Sequence, residues 1–134
     1  ARVRATDPRS HALYELEKRA KRAGAEIEID DPEPSDIVFV DAPCSGLGRL
    51  WRTPAIRWSY QPQMCVELQA EILEAAQDFV RPGGRLIYAT CTLLEAENSH
   101  GTPEGWTVED QQNLWPHTDG TDGFHWQIWR RPSA

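Results

Sequence analysis

The chain alternates between helical and strand-like hydrophobic spacing. Val3 to Thr6 reads as the end of a short strand. Asp7-Pro8 then predicts a helix, with the acid as N-cap and the proline in the first helical position. Leu13, Leu16 and Ala20 recur at helical spacing. Lys18, Arg19, Lys21 and Arg22 crowd the last turn, where the helix dipole favours cations, and Gly24 closes it. Ala25 to Ile29 predicts a second strand, and Asp30 to Ser35 an acidic, proline-containing loop. Asp36 to Asp41 (DIVFVD) is an unbroken apolar run between acids, the pattern of a parallel strand buried on both faces. Ala42 to Gln63 reads as a long loop. A helix over Met64 to Val80 follows, with Leu68, Ile72, Ala76 and Phe79 on one face, stopped by Pro82-Gly83-Gly84. Arg85 to Thr90 predicts a strand with Cys91 just beyond it, then an acidic helix start at Leu94 to Glu97. His100 to Asp122 is polar and predicts no element. Phe124 to Arg130 (FHWQIWR) alternates and predicts a last strand.

This order fits an open α/β sheet, in which ligands gather outside the carboxyl ends of the strands. Asp7, Asp41 with Cys44, and Cys91 all fall just after predicted strands. The pattern therefore places four reactive side chains on one rim.

The length of 134 residues allows one domain. With 14 Lys+Arg against 21 Asp+Glu, the net charge is −7, which disfavours holding nucleic acid by bulk charge but leaves room for a local basic groove. No apolar run approaches the roughly 20 residues of a membrane span. Ala1-Arg2-Val3-Arg4 has no apolar signal region. Three cysteines are too few for a disulfide framework, so the expected compartment is reducing and cytoplasmic. Their spacings, and those of His11, His100, His117 and His125, do not match metal-ligand patterns, and no metal is expected. No Gly-x-Gly-x-x-Gly or phosphate-loop motif occurs.

Cys44, in Asp41-Ala42-Pro43-Cys44-Ser45-Gly46, and Cys91, in Thr90-Cys91-Thr92, read either as nucleophiles activated at strand ends or as small buried hydrophobes. Cys65 reads as structural. Asp41 suits a base edge or a cofactor amine, or else a loop cap. Asp7 suits a ribose hydroxyl or an N-cap, and both together are compatible. Asp30 and Asp31 suit an adenine contact or a solvated loop. No acid lies between Ala42 and Val66, where Arg49, Arg52 and Arg57 are interleaved with Trp51, Trp58 and Tyr60. Arginines pair with phosphate and aromatic rings stack on unpaired bases. The alternative is a core-anchoring tryptophan pair with solvated arginines.

Together, DAPCSGLGRLWRTPAIRW (Asp41 to Trp58) and GGRLIYATCTLLEAEN (Gly83 to Asn98) resemble the Sun/Nop-type RNA (cytosine-5) methyltransferases, nearest to the bacterial small-subunit ribosomal RNA methyltransferase B type. LWPHTDGTDGFHWQIWRR (Leu114 to Arg131) resembles that family's C-terminal strand. The resemblance implies an incomplete Rossmann-like, S-adenosylmethionine-dependent methyltransferase sheet. Cys91 would attack C6 of an unpaired cytosine, so that C5 accepts the methyl group from S-adenosylmethionine, and Cys44 would assist product release. Asp41 would hold the base edge near the methyl donor. Asp7 matches the family's ribose-binding acid, and Asp30 its adenine-side acid, with Asp31 close behind. Arg49, Arg52, Arg57 and Trp58 would face RNA, ribosomal RNA by the resemblance and transfer RNA as the alternative.

The resemblance also implies that the family's Gly-rich cofactor loop, first strand and N-terminal RNA-binding region would precede residue 1. By the resemblance, the segments between Asp7 and Asp41 and after Asn98 are shorter than the family norm, and the second lacks an expected helix. The expectation is therefore a catalytic-domain fragment that binds cofactor poorly by itself. Three competing readings follow from the residues: an amino-group methyltransferase, against which Ala42-Pro43-Cys44-Ser45 and the second cysteine argue; a non-catalytic RNA-binding scaffold; and a thiol redox protein using Cys44 and Cys91.

Overall fold

The computed structural model describes residues 2–59 and 61–133. The chain divides into two compact units, Ala1–Glu33 and Pro34–Ala134.

In the first unit, strand β1 (Val3–Ala5), helix α1 (Ser10–Ala23) and strand β2 (Ile27–Ile29) form a β-α-β turn. The strands pair in parallel, with Ala5 opposite Ile29. Helix α1 starts two residues later than the N-cap pattern predicts. The Asp7 carboxylate accepts the Arg9 backbone N–H (2.8 Å) and holds a turn ahead of the helix, so Asp7 is not the N-cap. Ala20 is buried and Leu13 and Leu16 half-buried, as their spacing requires. Gly24 ends the helix at φ +65°, in the left-handed region where glycine is unstrained.

The second unit is a four-stranded sheet in the order β3-β4-β6-β5. Strand β3 (Ser35–Asp41) runs parallel to β4 (Val80–Thr90). Strands β6 (Phe124–Arg130) and β5 (Thr107–Leu114) continue the sheet antiparallel. Helix α3 (Pro62–Gln77) joins β3 to β4. Three single-turn helices, α2 (Ile56–Ser59), α4 (Glu95–Asn98) and α5 (Pro116–Asp119), lie in the connections. The core is built from Ala42, Leu73, Ala76, Val80, Leu86, Tyr88 and Trp129, with Val38, Val40 and Trp106 packed against it. Burial of this apolar surface is what drives α3 onto the sheet. Arg131 then donates to the carbonyls of Gln77 (3.1 Å) and Val80 (2.6 Å), fastening the chain end to the α3–β4 corner.

Four sequence expectations are corrected here. β3 is not buried on both faces. Among the described residues it pairs only with β4, and Ile37 and Phe39 are 55% and 60% exposed. The buried face of α3 carries Gln69, Leu73 and Ala76, while Leu68 is 44% exposed and Phe79 lies beyond the helix. Pro82-Gly83-Gly84 does not stop that helix but lies inside β4, where the register against β3 shifts between Ser35 and Ile37. Finally, the polar stretch after His100 contains β5. Its side chains are mostly exposed, so no apolar alternation marks it; its pairing with β6 defines it. Between α4 and β5 the chain forms no helix.

Candidate active site

The site of the second unit forms where β3 and β4 end side by side. Asp41 pairs with Ala89 as the last residue of β3, and the ladder extends one step to a hydrogen bond from Ala42 N to Ala89 O (3.0 Å). The two chains then diverge as loops, Pro43 to Gly46 and Cys91 to Leu94. Parallel strands must do this, because neither continues into a hairpin. Cys44 and Cys91 leave the ladder together, and their sulfurs stand 3.5 Å apart, both half-buried.

One carboxylate clamps the two loops. Glu97 is fully buried and accepts four hydrogen bonds: the Ser45 amide (2.8 Å), the Ser45 hydroxyl (2.6 Å), the Thr92 hydroxyl (2.6 Å) and the Gln69 amide (3.2 Å). Ser45 follows Cys44 and Thr92 follows Cys91, so the clamp acts on the residue next to each sulfur. Gln69 also donates to the Pro43 carbonyl (2.8 Å), and its own oxygen meets His100 Nε2 at 3.1 Å. Beneath this layer, Tyr88 donates to the Glu97 carbonyl (2.8 Å). Asn98 accepts from the Thr90 hydroxyl (2.6 Å) and donates to the Thr92 carbonyl (3.0 Å). Such a network is stable because every buried polar group in it is partnered.

The two thiols are unlike. Cys91 is drawn down to about 6, first by the hydrogen bond it receives from Cys44 and then by the positive charge of Arg49, against the opposing effects of burial and of Asp41. Cys44 is pushed up, first because it donates that hydrogen bond and then by burial. The surroundings therefore favour the thiolate on Cys91 and the thiol on Cys44, the arrangement of a nucleophile and its hydrogen-bond donor. Cys65, on α3, is pushed up by burial and by Glu97, which suits the structural reading.

The structure thus gathers Asp41, Cys44 and Cys91 at one sheet end. Asp7 and Asp30 belong to the first unit, where both follow the carboxyl ends of the paired strands β1 and β2. Asp7 is held at about 2 by its hydrogen bonds to the Arg9 side chain (2.8 and 2.9 Å) and backbone, so it is an anionic acceptor at any ordinary pH. Asp30 accepts the Asp31 amide (2.8 Å) and meets Arg4 at 3.4 Å. Both carboxylates follow the ends of adjacent parallel strands and keep lone pairs that can accept further hydrogen bonds.

The basic-aromatic segment lies on the surface. Trp58 is 82% exposed with Arg57 over its ring at 5.2 Å, and Trp51 is also exposed, so neither anchors the core. Arg52 is engaged, forming an ion pair with Asp122 while Trp51 donates to the same carboxylate (2.7 Å). Arg49 is exposed beside the thiols. Tyr60 lies outside the described residues. Glycine makes the loop packing possible: the Gly48 amide donates to the Cys91 carbonyl (2.9 Å) and Gly123 N to Gly48 O (2.8 Å). Among the described residues, no group of three or more His, Cys, Asp or Glu is placed to hold a metal ion, and no helix is long and apolar enough to cross a membrane.

Sequence reasoning missed Ser45, Gln69, Thr92, Glu97 and His100. Glu97 falls within the predicted acidic helix start, where a solvated acid satisfies the same pattern. Only the fold shows it buried.

The mixed sheet, parallel at β3 and β4 and antiparallel through β6 and β5, has the partial Rossmann-like fold of the S-adenosylmethionine-dependent methyltransferases. The crystal structure of NSun6 from Pyrococcus horikoshii with SFG superposes with a TM-score of 0.81 at 23% identity, over 98% of this chain and 41% of that one. The chain belongs to the 16S rRNA methyltransferase RsmB/F family, whose model matches residues 1–105. It is 33% identical to a putative methyltransferase of Mycobacterium tuberculosis (strain ATCC 25618 / H37Rv), over 98% of this chain and 35% of the relative. It is 34% identical to ribosomal RNA small subunit methyltransferase B of Klebsiella pneumoniae (strain ATCC 700721 / MGH 78578), over 92% and 35% respectively. The chain thus spans about a third of the length of the curated relatives it matches.

Proposed function

We propose that the protein methylates C5 of a cytosine in RNA, ribosomal RNA in the first place, through a covalent bond between Cys91 and cytosine C6. The observation that carries this reading is the thiol pair: a stabilised Cys91 thiolate 3.5 Å from the Cys44 sulfur, at the carboxyl ends of adjacent parallel strands. Family membership and the ribosomal RNA methyltransferases among the relatives support RNA as the substrate.

The residues divide the work as follows. Asp7 and Asp30 hold the ribose and adenine of S-adenosylmethionine. That cofactor, when bound, supplies an electrophilic methyl group. Asp41 holds the edge of an unpaired cytosine. The Cys91 thiolate adds to C6, which makes C5 nucleophilic. After C5 has gained the methyl group, its proton passes to solvent water, the C5–C6 double bond re-forms, the C6–S bond breaks, and Cys91 leaves as a thiolate. Cys44 assists that release, because its S–H is already placed to hydrogen-bond the departing sulfur. Arg49, Arg57 and Trp58 offer phosphate pairing and base stacking on the exposed loop. Arg52 contributes mainly by tying that loop to Asp122.

The test is a mechanism-based trap. The full-length protein is incubated with S-adenosylmethionine and ribosomal RNA carrying 5-fluorocytosine. Fluorine cannot leave as a proton does, so the adduct persists and peptide mass spectrometry locates it. An adduct on Cys91 is expected. An adduct on Cys44 would keep the reaction and reverse the roles. Absence of an adduct, in protein shown to bind both cofactor and RNA, would overturn the reading. A trap formed only with transfer RNA would change the substrate.

A further inference from the structure

We propose that Cys44 and Cys91 are a site of reversible oxidative modification, in which a hydroperoxide converts the pair into an intramolecular disulfide. Three observations carry this. The sulfurs are 3.5 Å apart, so a bond of about 2.05 Å needs a closure of only about 1.5 Å. Both residues are half-buried in loops, within reach of a small oxidant. The residue after each cysteine is fixed to the same carboxylate, with Ser45 and Thr92 both bonded to Glu97 and their hydroxyl oxygens 2.9 Å apart, so the sulfurs are held as neighbours. A nucleophilic thiolate with a second thiol poised beside it is the environment in which cysteine oxidation is selective and recoverable.

The chemistry balances with the hydroperoxide as the named oxidant. The Cys91 thiolate attacks the terminal oxygen, the O–O bond breaks, and the departing alkoxide takes a proton to leave as an alcohol, or as water when the oxidant is hydrogen peroxide. Cys91 is then a sulfenic acid. The Cys44 sulfur attacks the Cys91 sulfur, the S–S bond forms, the S–O bond breaks, and hydroxide leaves as water with the Cys44 proton. Two thiols give up two electrons and two hydrogens. A low-molecular-weight dithiol reverses the modification by two exchange steps. The disulfide itself follows from the thiol geometry alone. Its consequence, loss of methyl transfer because the nucleophilic sulfur is consumed, depends on the function proposed above.

The experiment treats the full-length protein with stoichiometric hydrogen peroxide and maps it without reduction. Trypsin cuts after Arg49, Arg57 and Arg85, leaving the three cysteines in three different peptides. The expected result is the loss of the Cys44 and Cys91 thiols, a cross-linked Cys44–Cys91 peptide pair, and full recovery with dithiothreitol. Cys65→Ser should behave as the wild type. Cys44→Ser should give no cross-link and accumulate a Cys91 sulfenic acid that dimedone captures. Sulfinic acid on Cys91 beside a still-free Cys44 thiol, a cross-link through Cys65, or retention of both thiols would overturn the proposal. If the disulfide forms while the reduced protein transfers no methyl group, the functional reading fails and the modification stands.

Discussion

Ser45 gives both its amide and its hydroxyl to Glu97, a residue 52 positions away, at 2.8 and 2.6 Å. This contact joins the loop after β3 to the helix after β4 and sets the separation of the two thiols between them. Glu97→Leu would remove the acceptor shared by four donors, of which one hydroxyl of the Ser45–Thr92 pair can still bond the other (2.9 Å), at about 1–3 kcal/mol for each donor left without a partner. A loss of about 3 kcal/mol or more in the denaturant midpoint analysis is expected. Glu97→Gln keeps the shape but points an N–H₂ at a donor. It should fold, lose less stability, and alkylate more slowly at Cys91. An unchanged alkylation rate in a folded Glu97→Gln variant would show that the clamp does not position the thiols.

Cys91 should be the most reactive of the three thiols below neutral pH. Its pKa is lowered to about 6, so the thiolate forms as pH rises through that value, and iodoacetamide modification should rise with it. Cys44→Ala removes the leading cause of that lowering. A hydrogen bond to a charged group contributes about 1.5–3 kcal/mol, so the midpoint should move up by about one to two pH units. Peptide-resolved alkylation rates across the pH range check both statements.

Gly48 and Gly123 should not accept a side chain. A Cβ on Gly48 would lie 2.1 Å from the Gly123 carbonyl oxygen and 2.8 Å from that of Cys91, both backbone. Gly48→Ala should therefore cost about 3 kcal/mol, at the upper end of overpacking. Gly101→Ala, with nothing within 4 Å, is the matched control and should change stability little. Chemical denaturation of the two variants distinguishes them.

Acid should weaken the fold through the buried His125 and the half-buried His100. Burial lowers the pKa of both His125 and His100 from 6.5. Below 6.5 the unfolded chain binds protons that the folded chain does not, so stability is present above that pH and falls as pH drops toward the folded values. His125 donates its Nδ1–H to Asn113 Oδ1 (2.8 Å) and is 1% exposed. His125→Asn should flatten the decline in melting temperature between about pH 7.5 and about pH 5. An equally steep decline would place its cause elsewhere.

Trp58→Ala should leave stability unchanged, because the ring is 82% exposed. It should weaken binding of single-stranded RNA by about 1–3 kcal/mol if a base stacks there. Arg52→Ala should instead release the loop from Asp122, reducing its resistance to proteolysis. Fluorescence titration and limited proteolysis measure the two effects.

The sequence by itself determined the elements with strong local periodicity and the chemistry at their ends. The α1 face, the apolar run of β3, the alternation of β6, and the Pro-Cys and Thr-Cys segments are all local patterns, and burial on one side of an element leaves such a record. The tertiary structure decided the rest. Sequence spacing does not show that Cys44 and Cys91 stand 3.5 Å apart; that distance depends on parallel register between β3 and β4. Nor does it show that Glu97 is buried while Glu95 is exposed, since both occupy one helical turn and only packing distinguishes them. Strand β5 was invisible for a related reason: its identity comes from hydrogen bonds to β6, which any polar sequence can make. Periodicity records what a segment does alone, whereas the site is made by segments that meet.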